Sequence, residues 1–347
     1  KVTLIKKLLH RSEFYLAFII LVFAFFVQAR SGQFLTANNL VDLCVSMIVP
    51  SIFCMGMLLV VITGGIDVSF TALASLSVYV GIDILLRMEY EGSVLVAFLL
   101  VAVLSAALAA LNGLFIAILE LPPLIVTLGT MSVFQGILLG ILNASSQNVL
   151  PEGMSKFGLA SLFQVTNKKL NITSAMPYSI FLLVGIVVAT WLILRHTMLG
   201  RGIYAVGGNK NAAVRMGLKV KKIKFFVYCY IGVLAGIAAV IRICMARYNP
   251  PGNMMGMEMN VIAAVVLGGA SLSGGKGTIL GTLLGMGLMT LMENSLLLLG
   301  VPGYWQTLFT GIIIVIGTSI TSYRASNIRK RSVDRRGSGT CKKVNEI

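Results

Sequence analysis

Val60-Val61-Ile62-Thr63-Gly64-Gly65-Ile66-Asp67-Val68-Ser69 is matched, with one gap at Thr63, by Val265-Val266-Leu267-Gly268-Gly269-Ala270-Ser271-Leu272-Ser273. In both copies a long apolar run ends in paired glycines. Glycine weakens a helix interior and opens backbone conformations closed to other residues. An apolar run that stops this way reads as a membrane helix with a break in it. Each copy follows a span that enters from a basic stretch and a polar connection, 31–39 or 247–258. The two units therefore run the same way through the membrane, as a parallel repeat about an axis along the membrane normal. Gly-interrupted segments at matching positions of two halves point to a transport pathway. Backbone freed at membrane depth must be buried in protein or face water. Tight helix packing through small residues is the alternative reading, and both can hold. Gly64, Gly65, Asp67, Gly268, Gly269, Gly274 and Gly275 are the candidate pathway residues, with Asp67 expected to accept backbone N–H bonds at the break.

Composition places this repeat in a membrane. The chain has 347 residues, 57% hydrophobic and 12% charged, and its mean hydropathy is +0.92. Soluble domains carry about 25% charged residues, so a soluble enzyme and a disordered chain are excluded. Apolar runs separated by polar or Gly/Pro-marked breaks give expected spans near 14–30, 40–62, 68–86, 93–119, 124–142, 178–194, 225–246, 259–273, 278–299 and 304–323. The eighth is short and glycine-rich. The expected fold class is an all-α polytopic membrane protein of about ten transmembrane helices with two parallel Gly-interrupted repeats. Residues 1–323 form its transmembrane domain and 324–347 a basic tail.

The net charge of +16 arises from 28 Lys/Arg against 12 Asp/Glu. Most of the basic residues fall in three clusters: Lys1 to Arg11, Arg195 to Lys224, and Arg324 to Lys343. Basic segments stay on the cytoplasmic side, which puts both termini and the central segment there. Six spans before the central cluster and four after it satisfy that parity. The clusters lack the aromatic interleaving and the fold motifs of nucleic-acid binding, so no nucleic-acid partner is expected. The longest outer connection is then the polar stretch 143–177. No CxxC or Cys/His spacing suggests a metal site. Residues 14–29 run into Gln28-Ala29-Arg30, not a cleavage site, and read as an uncleaved first span.

Asp83, Arg242, Glu258, Lys276 and Glu293 lie in or near expected spans. Ionisable groups there are functional candidates by default, but most sit near span ends. A proton relay needs several aligned acids, which are absent. Gly269 to Thr278 resembles a phosphate loop only briefly: Ala270 and Gly277 stand where the motif needs Gly and Ser/Thr. No catalytic constellation and no bound cofactor are expected, so a partner or an ion gradient must supply energy.

The central segment runs Gly200-Arg201-Gly202-Ile203-Tyr204-Ala205-Val206-Gly207-Gly208-Asn209-Lys210-Asn211-Ala212-Ala213-Val214-Arg215-Met216-Gly217. Asn209 is a good N-cap and Gly217 a good helix stop. A helix of two turns is unstable alone and needs something to dock against. Its apolar residues are too few and small for strong membrane insertion. This stretch, the Ile62–Ser69 block and the block Ile262–Leu272 with Gly274, Gly275, Gly277 and Thr278 resemble the permease subunits of bacterial ATP-binding-cassette importers for ribose and related sugars. The resemblance covers about residues 35–323, in order. It departs from the family at Val68-Ser69-Phe70, where Leu-Ser-Val is frequent.

The resemblance implies a bacterial inner-membrane protein working as a homodimer or heterodimer of permeases. It implies a cytoplasmic ATPase that uses ATP and Mg, and a periplasmic or lipid-anchored binding protein that delivers the sugar. Residues 200–217 would be the coupling helix segment, with Gly207, Gly208, Asn209, Ala212, Ala213 and Gly217 docking the ATPase. Related permeases for autoinducer, nucleoside or branched-chain amino acid share the architecture. An ion-coupled secondary transporter is the rival outside the family.

Overall fold

The computed structural model describes residues 12–167 and 172–298, and beyond them residues 300, 305, 308, 311, 312 and 315. In chain order its elements are α1 (Ser12–Ser31), α2 (Ala37–Ile62), α3 (Phe70–Arg87), α4 (Val94–Gly113, extended by a π-helical turn Leu114–Ile118) and α5 (Pro123–Gly136, extended likewise over Ile137–Ile141). Then come α6 (Glu152–Leu159), β1 (Ser161–Asn167), β2 (Ile172–Pro177), α7 (Ser179–His196), α8 (Met198–Gly208) and α9 (Lys210–Arg215). α10 (Val220–Ala246), α11 (Met257–Leu267) and α12 (Ile279–Leu298) follow.

Among the described residues, eight helices are long and apolar enough to cross a membrane: α1 to α5, α7, α10 and α12. Each coincides with an expected span. The expected eighth span, 259–273, is corrected: α11 stops at Leu267 after 11 residues, about 16 Å, half the ~30 Å of a hydrocarbon core. The paired glycines Gly268 and Gly269 end the helix. The expected tenth span (304–323), apart from its isolated described positions, lies outside the described residues. So do the basic cluster Lys1 to Arg11 and the tail 324–347.

α2 is the axis of the molecule. Every residue from Ser51 to Ile62 is buried, as an all-round apolar helix requires. α10 lies against α4 with its backbone close, because Gly232 and Gly236 put no side chain between them and Ser105 Oγ donates to the Gly232 carbonyl at 2.6 Å. α11 and α12 form an antiparallel pair just as tight. A Cβ at Gly281 would meet the Gly268 carbonyl, and one at Gly285 the Ala264 carbonyl.

The connection 143–177, read from sequence as a loop, is built. It holds α6 and an antiparallel β1–β2 hairpin. The hairpin sits over the Ala37 end of α2, where Asn38 Nδ2 donates to the carbonyls of Val165 (2.7 Å) and Ile172 (3.1 Å).

Candidate translocation and coupling site

The two glycine motifs fold into the same turn. After α2, the Gly64 N–H donates to the Val61 carbonyl at 2.9 Å and the Gly65 N–H to that of Val60 at 3.1 Å. After α11, Gly269 donates to Val266 at 2.9 Å and Ala270 to Val265 at 3.2 Å. Gly64 has φ 79° and Gly269 φ 91°, the left-handed step that closes a helix. The bonds correct the sequence register: Thr63 pairs with Gly268, Gly64 with Gly269 and Gly65 with Ala270, and no gap is needed. One glycine per turn carries the geometry.

Past its turn the first copy has no regular structure until α3. The Phe70 ring packs 5.1 Å from that of Phe53, nine residues before the end of α2. α3 therefore begins about 14 Å back along α2, inside the protein. Side chains satisfy this irregular backbone, as its depth demands. Asp67 Oδ1 accepts from the Ser69 N–H and the Ser69 hydroxyl, both at 2.7 Å. Asn112 of α4 donates to Ser69 Oγ at 2.7 Å, and Thr127 of α5 to the Ile66 carbonyl at 3.3 Å. Asp67, Ser69, Asn112 and Thr127 are fully buried. The Tyr228 hydroxyl of α10 closes the other side, 2.7 Å from where a Cβ on Gly65 would stand.

The short helix α11 starts at the same level. Glu258 is 6% exposed. Its Oε2 accepts from the Thr71 hydroxyl at 2.8 Å and from the Gly256 N–H at 2.9 Å. Thr71 lies in the first turn of α3 and Glu258 in that of α11. One carboxylate thus ties two helix N-termini together within the bundle, the arrangement of discontinuous helices around which transporters build their sites. Glu293 joins α11 to α12 by accepting from Asn260 at 2.9 Å. The other candidate charges are peripheral: Asp83 pairs with Arg87 at 2.9 Å, and Arg242 and Lys276 are exposed.

The third part is the elbow α8–α9. Asn209 caps α9, its Oδ1 accepting from the Ala212 N–H at 3.0 Å. Gly217 (φ 79°) closes it, with Gly217 donating to Val214 at 2.9 Å and Leu218 to Ala213 at 3.1 Å. The elbow rests on the glycine turns. A Cβ at Gly207 would collide with the Ile62 carbonyl and stand 2.6 Å from the Gly275 nitrogen. That nitrogen donates to the Ile62 carbonyl at 2.8 Å. A Cβ at Gly274 would meet the Gly207 carbonyl at 2.7 Å and the Gly64 nitrogen at 3.0 Å. Tyr204 of α8 adds a hydroxyl bond to the Gly277 carbonyl at 2.9 Å.

Gly64, Gly207, Gly274 and Gly275, drawn from three distant stretches, therefore form one backbone-to-backbone knot. Sequence reading divided them between a pathway and a docking set. Gly268 and Gly269 lie earlier in the same α11–α12 connection, at the end of α11 and outside the knot. Gly65 faces Tyr228. The Gly208 backbone packs against Gly275, but a Cβ at Gly208 would meet nothing within 4 Å.

Ala213 is a correction. It is fully buried within this chain and cannot face a partner. Val214 (55% exposed) and Met216 (66%) form the free apolar face of the elbow instead, beside the exposed Ala212. A salt bridge fixes the elbow laterally. Lys210 Nζ lies 2.7 Å from Glu120 Oε2, and Lys221 Nζ 3.9 Å from Oε1, in the connection between α4 and α5. The hydrogen bond and charge of Lys210 hold the Glu120 carboxyl below its ordinary value. Asn112, Thr127, Thr71, Tyr204 and Glu120 escaped sequence reading. The lone polar residues Asn112 and Thr127 inside apolar runs were the available signal.

Broken helices whose turns carry a capped elbow define a membrane permease component. The chain belongs to the family described as Branched-chain amino acid transport system / permease component, whose model matches residues 39–317. It is similar to the ribose import permease protein of Escherichia coli (strain K12), 35% identical over 302 residues, 87% of this chain and 91% of that one. The ribose import permease protein of Bacillus subtilis (strain 168) is 33% identical over 302 residues, covering 84% and 86%. The D-allose transport system permease protein of Escherichia coli (strain K12) is 31% identical over 300 residues, covering 86% and 88%. These relatives bear out the resemblance stated from the sequence blocks. No solved structure matches the chain. Members of the family are permease subunits and not themselves enzymes.

Proposed function

We propose that this chain is the membrane-spanning permease subunit of an ATP-binding-cassette importer that carries a monosaccharide. The glycine knot is the observation that carries the mechanism. The elbow bearing Val214 and Met216 is the part a cytoplasmic ATPase seats. Through Gly207 and Tyr204 the elbow bears on the Ile62 carbonyl and on residues 274–277, where both broken segments end. Displacement of the elbow by ATP-driven closure of the partner shifts those turns. The irregular stretch Ile66–Ser69 and the Glu258–Thr71 tie then move with them. The work comes from the different affinities of ATP-bound and ATP-free partner for the two permease conformations.

Basic clusters orient the elbow and both termini toward the cytoplasm. The β1–β2 hairpin and α6 then face outward, where a binding protein hands over the sugar. A second permease subunit completes the pathway. The sugar class is supported by the ribose and allose permeases among the relatives, and the hexose or pentose identity rests with the binding protein.

The test is reconstitution of the tagged chain with what co-purifies from native membranes. A stoichiometric ATPase, lost on Val214→Glu with Met216→Glu, and ATP-dependent uptake of labelled ribose or allose support the reading. Purification alone with gradient-driven uptake refutes it in favour of a secondary transporter.

A further inference from the structure

A cavity of about 630 Å³ opens between α1, α7, α8 and α12, beside the Tyr204–Gly277 contact of the knot. Its walls among the described residues are Val187, Val188, Trp191, Leu194, Ile279, Leu280 and Leu283, and its mouth carries Arg195, Tyr204, Thr278 and Glu13. The mouth polar groups are unequal. Glu13 Oε1 accepts from the Thr278 hydroxyl at 2.8 Å, and Tyr204 is engaged with Gly277. Arg195 is exposed and makes no ion pair among the described residues. Its guanidinium lies 5.9 Å from the Trp191 ring centre. Trp191 itself is 42% exposed and Leu280 69%, so the apolar wall continues to the outside of the bundle. The volume is in the range of roughly 300–1,000 Å³ that accepts one small apolar occupant.

We propose that this cavity binds an anionic phospholipid of the cytoplasmic leaflet, with its phosphate on Arg195 and an acyl chain against Val188, Trp191, Leu280 and Leu283. Arginine matches phosphate oxygens through two parallel N–H bonds. Trp at the head-group level with its ring along the chains is the ordinary interfacial placement. Basic groups between helices on the cytoplasmic side attract acidic head groups; Arg195 is the cation of this mouth, and the Glu13 carboxylate across it is engaged by Thr278. A zwitterionic lipid would fill the same wall and offers the same phosphate, but its choline cation meets Arg195 with like charge, so the acidic lipid is favoured. The proposal rests on the membrane orientation given above. That orientation is checked separately by protease access to the α8–α9 elbow in sealed vesicles.

Trp191 reports the site directly, because the chain has two tryptophans and Trp305→Phe leaves it alone. The full chain carrying Trp305→Phe is reconstituted in vesicles containing phosphatidylglycerol or phosphatidylcholine with brominated acyl chains, which quench a tryptophan on contact. One basic group near an anionic lipid is worth ~1 kcal/mol, so half-quenching by the acidic lipid is expected at about five-fold lower mole fraction than by the neutral one. Arg195→Gln should merge the two curves and Arg195→Lys should keep them apart. Arg195 is exposed, so these variants leave the fold intact. Equal quenching by both lipids overturns the proposal, and so does a preference that survives Arg195→Gln. No quenching by either lipid shows the cavity covered by protein and overturns it as well.

Discussion

Gly207 and Gly208 are neighbours of the same type in the last turn of α8, and the structure predicts opposite fates for them. Alanine at 207 drives a methyl into the Ile62 carbonyl and to within 2.6 Å of the Gly275 nitrogen. Backbone on both sides cannot retreat as a flexible side chain would. Overpacking of this kind costs about 1–3 kcal/mol. Parting the Gly275 N–H from the Ile62 carbonyl, now at 2.8 Å, adds about 1–3 kcal/mol for a buried group left unpaired. Gly207→Ala should therefore lose roughly 2–6 kcal/mol of stability or of coupling.

Alanine at 208 meets nothing within 4 Å and gains helix propensity, so its effect is neutral to favourable by about 0.5–1 kcal/mol. Each variant is reconstituted with its ATPase. Thermal unfolding in detergent and ATP-dependent uptake are compared with the parent. Gly208→Ala should keep its melting temperature and its uptake. Gly207→Ala should either melt lower or fold and hydrolyse ATP without transport. Equal behaviour of the two variants would falsify the knot as the mechanical joint between elbow and pathway.

Other outcomes follow from single contacts. Glu258→Gln keeps an acceptor for Thr71 and Gly256 and should change stability by under ~1 kcal/mol, whereas Glu258→Leu strands both donors at about 1.5–3 kcal/mol for each lost charged bond; melting of the two variants distinguishes them. Asn209→Ala removes the cap of α9 and should cost ~1 kcal/mol, read as faster amide exchange at 210–216 with the bundle unchanged. Tyr204→Phe loses one bond to Gly277, worth ~1 kcal/mol, and should weaken transport more than folding, tested by uptake per mole of folded protein. The Glu120–Lys210 pair lowers the carboxyl below the ordinary 4.5, so its contribution is complete above that value and lost as pH falls through the depressed one. Protection of the α9 amides, taken relative to the intrinsic exchange rate at each pH, should fall only below pH 4.5, and Glu120→Gln should abolish that dependence.

The amino-acid sequence alone decided the class of fold. Charge content, run length and the spacing of basic clusters are local sums, and they placed eight helices that the structure bears out. The Asn209 cap and the Gly217 stop were equally legible, because a cap is a bond between residues three apart. The short length of α11 was less so. The paired glycines signalled a break, but the expected span ran on to residue 273, and the bonding of Gly269 shows that the helix ends at Leu267. Ala213 misled because its smallness suits an outward docking face and an inward packed one alike, and burial is a property of what surrounds it.

The tertiary structure decided everything that depends on meeting across distance. Nothing local says that Gly207 rests on Ile62, that Gly275 donates to the same carbonyl, or that Glu258 answers Thr71. A glycine that turns the chain and a glycine that admits another backbone look identical in sequence. The first is fixed by its own φ, as Gly64 is. The second exists only where two segments approach closer than a methyl group allows, as at Gly207.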